Sequence, residues 1–237
     1  EGKELLRHGV VSLTEMADGR LALCTFAKSD GKVLQRTVFE PDYSAVEINL
    51  YRDRNRVGMT NTDWEYVYTG VAFSNRLAYL GGLVLHGSSI AYEGKGVVFS
   101  APSGTGKSTH TALWEQCFGE KVVPINDDKP AIRFKEEQPF LYGTPWSGKT
   151  NRNHNLSVPL KAIVFIERAK ENRIRRLSPT EAMMYIGSQT VRPFYDAGQG
   201  LRVLDCTEKL IKTIPMYLLG CTISEEAVGV VKQELQW

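Results

Sequence analysis

The sequence predicts a mixed α/β fold, leaning towards α+β, in which a partly antiparallel sheet carries a glycine-rich loop at a strand–helix junction. Three observations predict it. The first third alternates apolar and polar residues in short runs. An apolar run then leads into S-G-T-G-K-S-T at residues 103–109, with a helical pattern after it. The last quarter holds helix-periodic segments with recognisable caps.

Taken in order, Arg36 to Phe39, Ala45 to Tyr51 and Trp64 to Phe73 are the clearest alternating runs. Turn clusters at Ser29 to Gly31 and Asp53 to Asn55 separate them, so antiparallel strands are expected. Leu77 to Gly82 would close a short helix begun near Phe73. Leu83 to Tyr92 and Lys95 to Ser100, joined by Glu93-Gly94, read as a hairpin whose second member delivers the glycine loop. The helix behind the loop carries Ala112, Leu113, Cys117 and Phe118 and stops at Gly119. Val122 to Asn126 reads as a buried strand tipped by Asp127-Asp128. A hairpin of Ala131 to Phe134 with Phe140 to Tyr142 follows, then a polar segment from Gly143 to Asn155. Leu160 to Glu167 is an apolar strand with Arg173 to Leu177 expected as its hairpin partner. Ser178 is an N-cap, Pro179 suits the first helical position and Glu181 lies three residues past the cap, which predicts a helix to about Thr190. A helix from Leu201 to Ile214, a strand at Met216 to Cys221 and a helix from Glu225 to Leu235 capped by Ser224 complete the chain. The expected organisation is a single domain over 1–237, with a strand-rich part at 1–80 and a core at 81–237 that ends in helices.

Composition bounds the function. The 237 residues are 42% hydrophobic and 24% charged, the balance of a soluble globular protein with a full core. A net charge of +2 creates no field that would argue for nucleic acid, and the longest apolar stretch, Leu77 to Leu85, is broken by Gly81 and Gly82, so no membrane partner is expected. Cys24, Cys117, Cys206 and Cys221 are scattered without C-x-x-C spacing. Reduced thiols and a cytoplasmic location are expected.

The segment 103–109 carries the chemistry. A triphosphate needs backbone N–H groups curled around its oxygens, an ammonium for its β and γ phosphates and a hydroxyl for Mg²⁺. Ser103, Gly104, Thr105, Gly106, Lys107, Ser108 and Thr109 supply this set, and the helix behind points its positive end at the anion. Ala101 stands where the usual pattern has its first glycine. No Asn-Lys-x-Asp guanine-reading motif occurs, which disfavours a GTPase. If the strand continued through Asp127 and Asp128, their side chains would point to opposite faces and serve different tasks.

Leu85-His86-Gly87, Gly96-Val-Val-Phe99, the loop from Ser103 to Thr109 and the strand ending in Asp127-Asp128 together resemble the HPr kinase/phosphorylase family. The nucleotide site of ATP-dependent phosphoenolpyruvate carboxykinase is similar, with its own S-G-T-G-K loop and aspartate pair. The resemblance covers roughly residues 83 to 134 and implies a carboxykinase-like nucleotide-binding core, Mg²⁺ as cofactor and a homo-oligomer. It implies Lys107, Asp127 and His86 as catalytic residues, with Asp127 as the base or acceptor-orienting carboxylate and His86 paired to a carboxylate. Ser108 and Asp128 are the implied metal partners, although the two aspartates could exchange roles. The loop 143–155 collects Lys149, Arg152 and Trp146 without an apolar pattern, which makes Lys149 and Arg152 the candidates for the substrate side. The expected function is transfer of the γ-phosphoryl of Mg-ATP to a hydroxyl of a protein, peptide or small molecule. The alternatives are a nucleotide-binding regulatory module without transfer and a short carboxykinase-like enzyme.

Overall fold

A computed structural model describes residues 2–51, 59–190 and 195–237. The turn expected at Asp53 to Asn55 lies outside the described residues. The chain contacts fall into two compact units: residues 1–79 with 192–200, and residues 80–191 with 201–237.

The first unit is an antiparallel meander in sequence order, β1 (Gly2–His8), β2 (Val11–Met16), β3 (Leu21–Phe26), β4 (Val33–Phe39) and β5 (Val46–Leu50), followed by the helix α1 (Asn61–Tyr79). Leu13, Phe39 and Tyr43 are its small core, with the Phe39 and Tyr43 rings stacked at 4.3 Å. The run Trp64 to Phe73, expected as a strand, lies inside α1. Its alternating aromatics mimic a strand, but Thr60 and Asp63 cap a helix start: Asp63 Oδ2 accepts from the Thr60 N–H at 2.7 Å and Thr60 Oγ1 accepts from the Asp63 N–H at 3.2 Å. Gly70, Ser74, Leu77 and Ala78 are then buried at helical spacing.

The second unit is built on a nine-stranded mixed sheet among the described residues. Its elements are β6 (Gly82–Val84), β7 (Gly87–Tyr92), β8 (Lys95–Ser100), α2 (Lys107–Phe118), β9 (Val122–Asn126), β10 (Ala131–Lys135), β11 (Gln138–Tyr142), β12 (Ser157–Arg168), β13 (Arg173–Arg176), α3 (Pro179–Gln189), α4 (Ala197–Thr213), β14 (Met216–Cys221) and α5 (Glu225–Glu234). The path runs β6-β10-β11-β12-β8-β7-β9, with β14 branching from β12 and β13 from β14. The neighbours β8, β12 and β14 are parallel, and the remaining pairs are antiparallel.

β12 organises this sheet. Its start pairs with β11, Ser157 opposite Tyr142, while Ile163 to Phe165 lie between Val98 to Ser100 of β8 and Met216 to Leu218 of β14. That double occupancy explains why Arg173 to Arg176 pairs with β14 rather than, as expected, with β12: no edge of β12 is left there. Alternate residues of β12 serve opposite faces. Ile163 and Phe165 pack with Ile186 of α3 and Leu210 of α4, whereas Val164 and Ile166 pack with Trp114 or with Val228 and Val231 of α5. Helices therefore cover the central parallel strands from both sides. The capping box expected at Ser178 is present, with the Glu181 N–H donating to Ser178 Oγ at 3.3 Å and the Ser178 N–H to Glu181 Oε2 at 2.9 Å.

Candidate functional site

The loop from Ala101 to Gly106 leaves the end of β8 and turns directly into α2. Gly104 and Gly106 hold φ of 77° and 120°, which L-residues rarely adopt, so the two glycines are what permit this turn. Lys107, Ser108 and Thr109 form the first turn of α2, whose backbone N–H groups face out of its N-terminus. The Lys107 side chain curls back and donates from Nζ to Ala101 O at 2.8 Å and to Pro102 O at 3.2 Å. Ala101 itself is buried.

Asp127 and Asp128 follow β9 in a bend rather than continuing the strand. Asn126 makes that bend: its Oδ1 accepts from the Asp128 N–H at 3.0 Å and the Lys129 N–H at 2.7 Å. Its Nδ2 is anchored on Thr144 O at 2.8 Å, so a buried amide fixes the backbone at Asp128 and Lys129. Sequence reasoning missed this residue, although an Asn directly before two aspartates at a strand tip is an Asx-turn signal.

His86 sits where the chain passes from β6 to β7 and changes pairing partners. Its backbone is held twice, by Ser100 Oγ donating to His86 O at 2.7 Å and by the His86 N–H donating to Gln189 O at 2.9 Å. Its ring lies between Gln189, with Nδ1 to Oε1 at 3.2 Å, and Asp128, with Nε2 to Oδ1 at 3.5 Å. Lys129 Nζ meets the other Asp128 oxygen at 2.5 Å. The carboxylate beside His86 is thus Asp128. Both Asp127 oxygens are buried without a hydrogen-bond partner.

These charges feel one another. Burial first, then the Lys107 ammonium, pushes the His86 imidazole below its ordinary value, against the pull of Asp128 and the Gln189 hydrogen bond. Burial also lowers Lys107, while Asp128 and Asp127 oppose the shift. His110, behind the loop, is buried against Phe99 and drops to about 4. Its Nε2 accepts from Trp114 Nε1 at 3.2 Å; an indole can only donate, so neutral His110 carries its proton on Nδ1.

The segment after Gly143 folds over Asp128. Gly148 has φ of 66°, and a Cβ there would lie 3.1 Å from the Asp128 Cβ, so the close approach favours glycine. Lys149 is exposed on this segment, whereas the Arg152 guanidinium is engaged by Glu115 of α2. On the far side of the loop, Arg168 at the tip of β12 donates from Nη2 to Gly104 O at 2.6 Å. Neither Gln189 nor Arg168 stood out in the sequence, because their partners are distant along the chain, and Lys129, next to its partner Asp128, carried no motif of its own. Among the described residues no three His, Cys, Asp or Glu side chains group as a metal cage, and no helix is long and apolar enough to cross a membrane.

No curated protein matches the sequence. One solved structure among those that match, the HPr(Ser) kinase/phosphatase from Coxiella burnetii, is 10% identical, with 64% of this chain and 95% of that chain covered at a TM-score of 0.39. The family model for the SynChlorMet cassette protein ScmC matches residues 62–236, from the start of α1 to the end of α5, and the chain belongs to that family.

Proposed function

We propose that the chain is an ATP-dependent kinase that transfers the γ-phosphoryl of ATP to an acceptor hydroxyl. The observation that carries this reading is the grouping around one glycine loop: an ammonium folded into the loop, with His86, Asp127 and Asp128 within its electrostatic reach. Backbone N–H groups of 104–109 would wrap the phosphates, and Lys107 would exchange its two carbonyl contacts for β- and γ-phosphate oxygens.

The hydrogen bonding favours exchanging the two aspartate roles read from the sequence. Asp127 presents a buried carboxylate with no partner, the chemistry of an oxygen site for a cation, and Ser108 offers a hydroxyl for the same ion. When bound there, Mg²⁺ would neutralise charge on the β- and γ-oxygens. Asp128, held by His86 and Lys129, is the residue suited to orient the acceptor and take its proton. In the transfer, the acceptor O–H proton passes to Asp128, the freed oxygen forms a bond to Pγ, and the bond from Pγ to the β,γ-bridging oxygen breaks, so that ADP leaves with that electron pair. His86, its pKa lowered, is neutral at pH 7 and steadies Asp128 without adding a charge. Lys149, exposed beside this cleft, is the cation available to an anionic acceptor.

Calorimetric titration of Mg-ATP combined with release of inorganic phosphate, water acting as acceptor, tests the reading. Lys107→Ala is expected to weaken Mg-ATP binding by about a hundredfold or more. Asp128→Asn should keep wild-type affinity and lose about 10²–10⁴-fold in phosphate release. A wild type that binds no nucleotide would sink the proposal. Binding without release in the wild type would leave the regulatory-module reading, and undiminished release by Asp128→Asn would remove the role given to that carboxylate.

A further inference from the structure

The sheet order puts the two flanks of the glycine loop to different uses. β8 lies between β7 and β12, and His86, Asp127 and Asp128 all belong to the β7 and β9 side. A cavity of about 360 Å³ opens on the other side, at the carboxyl ends of the parallel strands β12 and β14, where open α/β sheets place their ligands. Its floor is Gly104 to Gly106, one wall is Leu113 of α2, and the opposite wall is Ile166, Arg168, Cys221 and Ile223.

Resting on the kinase reading above, we infer that this cavity takes the base and ribose of a purine nucleoside triphosphate, by apolar contact and stacking rather than by reading the base edge. The direction follows from the chemistry of the loop. The lysine and serine mark the β,γ end of a bound triphosphate, so its nucleoside end leaves towards the flank that holds neither His86 nor the aspartates. That flank is the cavity. Its walls suit a flat ring: Leu113 and Ile166 are apolar, and Ile223 is 77% exposed, a large side chain left in solvent at the rim. A guanidinium stacks favourably on an aromatic face, and Arg168 is held beside the floor by its bond to Gly104 O.

Several polar groups of the lining are already engaged, although the Glu167 carboxylate also borders the cavity. The Thr222 N–H and Oγ1 both donate to Asn172 Oδ1, at 2.9 and 3.2 Å, and Cys221 O accepts from the Ala169 N–H at 3.1 Å. Arg168 Nη2 is given to Gly104 O and His110 Nε2 to Trp114. A site whose ring contacts are mainly apolar discriminates weakly between rings of similar size. ATP and GTP should therefore bind within about tenfold of each other.

Binding of Mg-ATP, Mg-GTP and inorganic tripolyphosphate to wild type, Ile223→Glu, Ile223→Ser and Lys107→Ala tests the inference. Position 223 is exposed, so its variants should fold. Both are expected to weaken ATP and GTP by about tenfold or more, and Ile223→Ser to leave tripolyphosphate unchanged. Lys107→Ala is expected to lose all three ligands. Unchanged ATP affinity in both position-223 variants, while Lys107→Ala still loses ATP, would overturn the cavity and leave the kinase reading standing. Tripolyphosphate binding as tight as ATP in the wild type would overturn it as well, since the nucleoside would then contribute nothing. If the wild type binds none of the three, the kinase reading itself fails and takes the cavity with it.

Discussion

His110 shows how one side chain behind the loop ties stability to pH. It is buried between Phe99 and Trp114 and titrates at about 4 instead of 6.5. A base with a depressed folded-state pKa takes its proton in the unfolded chain first. Its contribution is therefore complete above pH 6.5, falls as pH drops towards 4, and is constant below. The shift is worth about 3 kcal/mol. Urea unfolding of wild type at pH 7 and pH 4 should show this loss on top of the carboxylate contribution, and His110→Gln, which can still accept from Trp114, should lack it. Equal losses in the two proteins would show that His110 does not titrate in this way. The Asx turn at Asn126 acts on the same scale, and its signal, an Asn directly before two aspartates, is easily overlooked beside them. Asp127-Asp128 announced themselves, whereas the assignment of His86 to Asp128 depends on a bend that a strand-based reading does not contain.

At the scale of elements, legibility tracks how local the signal is. The capping box of α3 sits within four consecutive residues and was readable. Ser178→Ala should cost about 1 kcal/mol in denaturant unfolding, because it leaves the Glu181 N–H without its acceptor. An unaltered midpoint would mean that α3 does not depend on its cap. The caps of the other helices are less transparent. Ser224, expected to cap α5, instead shares its hydroxyl with Thr222 and Asn172, and Thr60 caps α1 where aromatic alternation suggested a strand. The sequence puts β13 beside β12 because the competitor for β12, β14, enters from far along the chain. The glycine loop is contiguous and was read whole; Arg168 and Gln189 belong to the same neighbourhood only after folding.

At the scale of the molecule, protection against exchange should follow the sheet. Five of the six residues of β8 are buried and β12 is paired on both sides at its centre, so their amides should exchange slowest. All seven residues of β1 are exposed, and that strand should exchange early. Hydrogen exchange read by mass spectrometry checks this, and β8 exchanging as fast as β1 would contradict the layered core. β12 has a further consequence. The segment 143–155 leaves β11 and returns into β12, while the glycine loop hangs from β8, whose ladder is also β12. One continuous strand is therefore the ruler that sets the separation of the two loops. Insertions in 143–155 would change what the cleft can reach without altering that spacing, whereas a slip of β12 by one residue would displace three ladders together. Variation in reach is cheap in this architecture, and variation in alignment is not.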